Sequence, residues 1–238
     1  EGPSTAEWFI VGEAPGQNED RVGLPFQGKT GEELRRYFDG DALPPFDETY
    51  RDNLYKEWGG KDYEYSAADL ERDEPELLAA LGEIRPKVIV AVGRHAARWL
   101  LGDIALDETH GLPWFLPADS KAGRVLGTDT VVFVAYHPAA GFRSPEASAL
   151  VSFDFAQLAM YAAGELRARV LHDDPIPNPQ YFTAGVPSVE ALRHLRYPEL
   201  GCDSEGYARK PWSLQWSGLA GTGYLAHAKD TATVGAFL

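Results

Sequence analysis

Two runs of apolar residues, KVIVAV at 87–92 and VVFVAY at 131–136, constrain the fold more than any other feature of the chain. A strand with one wet face alternates apolar and polar residues, whereas a run that is apolar at every position needs cover on both faces, as in a parallel sheet. Each run is followed by a break and then by residues suited to a helix. Gly93 leads into 94–101, and His137-Pro138 lead towards 147–170, which predicts a closing helix. Residues 7–11 (EWFIV) read as a further strand running into a glycine-rich loop. Thr30-Gly-Glu-Glu33 reads as a capping box for a helix through Phe38, and 73–84 has helical periodicity. Strands alternating with helices in this way predict an α/β fold, a three-layer α/β/α sandwich with a mainly parallel central sheet.

Residues 173–179 (DDPIPNP) end the alternation, because closely spaced prolines suit a linker. The expected organisation is a first domain over 1–170, a linker over 171–185 and a second, partial unit over 186–238. In that unit 187–195 predicts a short helix, and 200–204 feeds a strand carrying Asp203 and Glu205. With 238 residues there is ample material for a buried core. No run of about 18 apolar residues and no basic-then-apolar leader is seen, so the expectation is a soluble, cytoplasmic protein without a membrane partner. A single cysteine, Cys202, excludes a disulfide framework and a multi-cysteine metal site. The formal charge of -14 argues against broad electrostatic capture of nucleic acid, so any such contact must be local.

Open α/β sheets bind ligands beyond the carboxyl ends of their strands. Three stretches fall at or after expected strands and can therefore share one pocket: 12–26, the region of Asn53, and His137. Taken singly each has a bland reading. Phe26, exposed-looking among glycines and acids, also reads as a core residue, Asn53 as a cap or turn former, His137 as a satisfied loop histidine, and Glu19 and Asp20 as solvated acids. The glycine loop could also hold a nucleotide phosphate, although it lacks both the G-K-[ST] ending and the G-x-G-x-x-G spacing. His95, His110, His172, His194 and His227 have no matching partners in the sequence and read as structural or surface residues.

The order of the motifs selects among these readings. "GEAPGQNED", "GLPFQGKTG", "YRDNLY", "IRPKVIVAVG" and "YHPAAG" follow one another across residues 6–168. In that order they resemble the uracil-DNA glycosylase superfamily, most closely its thermophilic iron-sulfur class, family 4. The resemblance implies a DNA glycosylase that hydrolyses the N-glycosidic bond of uracil, or of a related modified pyrimidine, in single- or double-stranded DNA. Breaking that bond builds positive charge on the sugar and negative charge on the base, which calls for a carboxylate near one and a hydrogen-bond donor near the other. By resemblance Glu19 and His137 fill these catalytic roles. Gly12, Glu13 and Ala14 bring backbone close to the base, Phe26 stacks on it, and the Asn53 amide reads its Watson-Crick edge. Phe142 is the expected wedge into the DNA stack, with Arg143 beside it for phosphate.

Two departures stand out. The four cysteines of the family's iron-sulfur cluster are missing, so no cofactor is expected and the parts the cluster braces must be packed another way. Ala139 replaces a serine in the late histidine motif.

The second unit resembles another family. "GCDSEGYARKPWSLQWS" is similar to the opening of the 3′-5′ exonuclease domain of family A DNA polymerases, in which a D-x-E pair binds metal. Two carboxylates at i and i+2 on a strand point to one face, as a shared metal requires. The resemblance implies that Asp203 and Glu205 hold Mg²⁺ or Mn²⁺ in a complete exonuclease domain, and that the chain is continuous with a phage-type polymerase. The alternative function is a glycosylase-like DNA-binding or docking module of a polymerase, weak or inactive in excision.

Overall fold

The computed structural model describes residues 1–169, apart from Asp41 and Thr128, together with the backbone of four later strands. The chain divides into two compact units, Glu1–Leu171 and His172–Leu238.

In the first unit the elements run β1 (Trp8–Gly12), α1 (Gln17–Val22), α2 (Lys29–Phe38), β2 (Tyr50–Asn53), α3 (Ala67–Ile84), β3 (Val88–Val92), α4 (Arg94–Leu101), α5 (Leu106–Thr109), β4 (Leu112–Phe115), α6 (Lys121–Leu126), β5 (Val131–Ala135), α7 (Pro138–Gly141) and α8 (Pro145–Ala162). The five strands form one sheet in the order β2-β1-β3-β5-β4. All neighbours are parallel except β4, which runs antiparallel to β5.

The apolar runs fold as their composition requires. All five residues of β3 and of β5 are buried, and successive side chains feed opposite cores. Phe9, Val11, Ile89, Ala91, Val132 and Val134 face one layer with Leu77, Leu81, Ala97 and Leu100 of α3 and α4. Ile10, Val88, Val90, Val92, Phe133 and Ala135 face the other with Leu34 and Phe38 of α2 and Val151, Phe155 and Leu158 of α8. Each of the larger side chains among them, taken fully out of water, contributes about 1.5 to 3 kcal/mol before the entropy of ordering it. The fold class is thus the three-layer α/β sandwich with a mostly parallel sheet expected from the sequence.

The layer of α3, α4 and α6 is fastened by polar side chains. Glu74 of α3 accepts from Trp99 Nε1 at 3.2 Å and from Lys121 Nζ at 2.5 and 2.8 Å, tying one helix to the other two. Asp73 is buried and accepts from the Lys56 backbone N–H at 3.0 Å and from Arg72, which holds its carboxyl below the usual range.

Some local expectations are corrected. The helix expected from a box at Thr30 is capped by Gly28 and begins at Lys29, with no side-chain cap bond. Helix α3 starts six residues before 73, at Ala67, and is capped by Ser66, whose hydroxyl accepts from Asp69 N–H while Asp69 returns the bond. The closing helix stops at Ala162 rather than reaching 170. No helix among the described residues is long and apolar enough to cross a membrane.

The second unit contains β6 (Gln180–Phe182), β7 (Gly201–Tyr207), β8 (Lys210–Ser217) and β9 (Thr222–His227), ordered β6-β9-β8-β7. Strand β6 falls inside the stretch read as a linker and pairs in parallel with β9. Asp203 and Glu205 lie in β7, antiparallel to β8, with a register shift after Glu205. Their side chains, like the helix expected over 187–195, lie outside the described residues.

Candidate active site

Parallel strands end together, and that edge is where the motif residues meet. Gly12 closes β1 and Asn53 closes β2 as direct register partners, while His137 stands two residues beyond β5. The chain passes from β1 to β2 on one side and returns to β3 on the other, so the sheet order reverses beside β1. That is the crevice in which doubly wound sheets bind ligands.

A cavity of about 550 Å³ opens there, lined by Glu13, Ala14, Glu19, Phe26, Asn53 and His137, with Arg143, Trp58 and Tyr65 on its walls. Six of the residues singled out in the sequence thus come together from three separate stretches, and Arg143 joins them. Such a volume lies in the range of small-molecule sites.

Gly12 does not line the cavity itself, but its missing side chain lets Asn53 and Phe26 close in beside it. A Cβ added to it would lie 2.4 Å from Asn53 Oδ1 and 2.9 Å from Phe26 Cζ. The exposed-looking Phe26 is buried, 6% accessible, and holds a left-handed backbone with φ 57°. Its chain is pressed against α2, where a Cβ on Gly31 would collide with the Phe26 carbonyl. A non-glycine residue in that conformation costs of order 1 kcal/mol or more, and here the cost aims a ring into the cavity. Asn53 is 6% accessible, and among the described residues its side-chain amide has no hydrogen-bond partner. The amide opens onto the cavity, where it is free to pair with a ligand.

Glu19 is held more firmly than a solvated acid. It sits at the third position of α1, where Oε2 accepts from the Gly16 N–H that opens the helix and Oε1 accepts from Gln27 N–H at 3.0 Å. Two backbone donors fix its direction. Asp20, read as a solvated acid, accepts from Trp58 N–H at 3.0 Å and so ties the cavity wall to α1.

His137 caps α7, and its Nδ1 accepts from Ala139 N–H at 3.3 Å. An accepting Nδ1 places the proton on Nε2 and makes the ring a neutral donor. Burial pushes the imidazole below the ordinary histidine range, in spite of the nearby Glu13 carboxylate. The amide of Ala139, standing where the related motif has a serine, is spent on this bond.

His95 and His110, read as unpartnered, both have partners. His95 Nδ1 lies 2.8 Å from Glu13 Oε1 at the cavity wall, and this bond holds the Glu13 carboxyl below the usual carboxylate range. His110 Nδ1 lies 2.6 Å from Asp154 Oδ1. Asp154 is wholly buried, and its other oxygen accepts from the Tyr136 N–H at 2.6 Å, next to His137. Burial raises the Asp154 carboxyl. Phe142 does not line the cavity: it is 56% exposed at the end of α7, beside Arg143, which does. No cluster of metal-ligating side chains occurs among the described residues.

The comparisons with known proteins run parallel to this geometry. The model of the uracil DNA glycosylase superfamily matches residues 1–159. A type-4 uracil-DNA glycosylase of Saccharolobus solfataricus is 30% identical over 156 residues, covering 65% of this chain and 71% of that one. Its counterpart in Pyrobaculum aerophilum is 30% identical over 170 residues, covering 70% and 82%. That of Sulfurisphaera tokodaii is 28% identical over 158 residues, covering 66% and 71%.

Proposed function

From the premise that this chain belongs to the uracil DNA glycosylase superfamily, we propose that its cavity hydrolyses the N-glycosidic bond of uracil in DNA. The observation that carries this reading is the convergence of the Asn53 amide, which has no hydrogen-bond partner among the described residues, with Glu19, Phe26 and His137 on one cavity. An extruded uracil would place its N3–H and O4 against that amide and its face on Phe26. The neutral His137 would donate from Nε2 to O2 as negative charge gathers on the leaving base. The C1′–N1 bond breaks with its electron pair on the base, and Glu19 stabilises the cationic sugar and orients the water that adds to C1′. The proton from that water leaves by way of Glu19 to solvent. Incubation with an oligonucleotide carrying one deoxyuridine, followed by alkali, should cut the strand at that position. A thymidine control should stay whole, and an uncut deoxyuridine strand would overturn the proposal.

No step of this scheme draws on a metal. Excision is therefore expected to proceed at an unchanged rate in excess EDTA, and a rate that collapses on chelation and returns with added metal would contradict it.

Phe142 takes the wedge role in this reading, because an exposed apolar side chain on a short turn beside the cavity can fill the gap left by a flipped base. Phe142→Ala should slow excision from duplex on the order of tenfold more than from single strands, which need no unpairing. Equal losses on both substrates would assign Phe142 to the fold instead.

A second reading, a docking module with little or no excision, is favoured by the charge of -14 and by Ala139. The same alkali assay separates the two. For the second unit we keep the reading of an exonuclease-like beginning continuous with a polymerase, supported by the D-x-E pair and PWSLQ falling on the paired strands β7 and β8.

A further inference from the structure

We propose that the loop over 54–66 is a stacking platform for the unpaired bases next to the one held in the cavity, so that the chain grips single-stranded DNA through aromatic rings rather than phosphate charge. This rests on the proposed function for the identity of the ligand as DNA. The loop carries four aromatic residues, Tyr55, Trp58, Tyr63 and Tyr65. Trp58 and Tyr65 line the cavity itself, together with Phe26 and His137. Tyr55 stacks behind Tyr65 with ring centres 4.1 Å apart and planes 12° from parallel. Tyr63 stands edge-on to Tyr65 at 5.0 Å and is 48% exposed, so it continues the wall outward into solvent.

The rings are fixed before any ligand arrives. Tyr65 OH donates to the Glu57 carbonyl at 2.9 Å and accepts from Gly59 N–H at 3.1 Å. Tyr63 OH donates to Asp69 at 3.0 Å, and the Trp58 backbone is held by Asp20. Gly59 leaves room for the Tyr63 ring, which a Cβ there would meet at 2.2 Å. Asp62, just before Tyr63, holds a left-handed backbone with φ 130° that a side chain rarely adopts. Strain of this kind persists where surrounding contacts over-determine a site. Tyr63 OH reaches Asp69 in the first turn of α3, while its ring stays half exposed beside Tyr65.

Charge excludes the usual alternative. Lys56 is engaged by Asp52 and the Asn53 carbonyl, Glu57, Asp62 and Glu64 surround Lys61 in the sequence, and Arg143 is the cation on the cavity wall. Phosphate neutralisation at several points would need more than this. Base-aromatic stacking needs no net positive charge, is tolerant of sequence, and is lost roughly fivefold or more when one ring is removed.

The test uses the intact chain and a fluorescein-labelled single-stranded oligothymidylate of about 12 nucleotides, which carries no uracil. Tyr63→Leu should weaken binding roughly tenfold, and Tyr63→Phe, which keeps the ring but not the bond to Asp69, should bind like wild type. Raising salt from about 50 to 200 mM should weaken wild-type binding by less than about tenfold. Unchanged binding by Tyr63→Leu would overturn the platform. So would equal losses in the leucine and phenylalanine variants, or a salt dependence of about a thousandfold. The readout is independent of excision: a chain that binds through Tyr63 yet releases no uracil overturns the proposed function alone.

Discussion

Glu19→Gln and His137→Ala are each expected to slow uracil release on the order of 10²- to 10³-fold, while leaving the melting temperature nearly unchanged. Each removes one charge-matched contact that is made most strongly in the transition state, so kcat should fall more than KM rises. Glutamine keeps an acceptor for one of the two backbone donors, Gly16 and Gln27, and loses the carboxylate proposed to face the sugar. Alanine at 137 removes the Nε2 donor and also the cap on Ala139. The double variant should lose less than the product of the single losses, because the two groups serve one transition state.

The pH dependence has a definite sign. Protonating His137 would convert its accepting Nδ1 into a second donor and break the bond from Ala139, and burial opposes that protonation. Activity should therefore hold steady through neutrality and decline only below about 6.5, the ordinary histidine value. A rate that falls on going from pH 8 to pH 7 would mean that His137 does not work as a neutral donor.

Gly12→Ala should cost on the order of 10²-fold in excision with the fold retained, although it adds a single methyl group. The new Cβ would meet Asn53 Oδ1 and Phe26 Cζ well inside contact distance, and neither neighbour can easily withdraw. Asn53 is fixed by its register opposite Gly12 at the end of β2. Phe26 is backed by α2 where Gly31 touches its carbonyl. The methyl group must displace the two side chains that would read and stack on the base, and a shift near 1 Å is enough for a loss of that size. Wild-type activity in Gly12→Ala would show that Asn53 and Phe26 are not placed against Gly12 as described.

The sandwich was legible because burial on both faces leaves an unmistakable mark, the uninterrupted runs at β3 and β5. Strand β4 left none: it is four residues long, antiparallel, contains Pro113 and is only partly buried. Helix α1 has no buried residue at all, so no apolar periodicity could announce it. Its signals were Glu19 three residues after Gly16 and the left-handed Gly23 that ends it.

The residues gathered in the cavity were legible as motifs at strand ends, a regularity of parallel sheets. Their partners were not. His95 meets Glu13 only because β1 and β3 are neighbours in the sheet, and His110 meets Asp154 only because α8 packs on the sheet beside β5. Trp58 and Tyr65 lie in a loop without periodicity, so only the folded chain shows that they line the same space.

The most direct test of the central claim is to incubate the purified chain with single-stranded DNA containing one deoxyuridine and to identify the released base by mass spectrometry before any alkali is added. One free uracil per strand, with the phosphodiester backbone intact, is the result expected of hydrolysis at the C1′–N1 bond. The absence of free uracil, or its undiminished release by the Glu19→Gln/His137→Ala double variant, would contradict the assignment of this cavity.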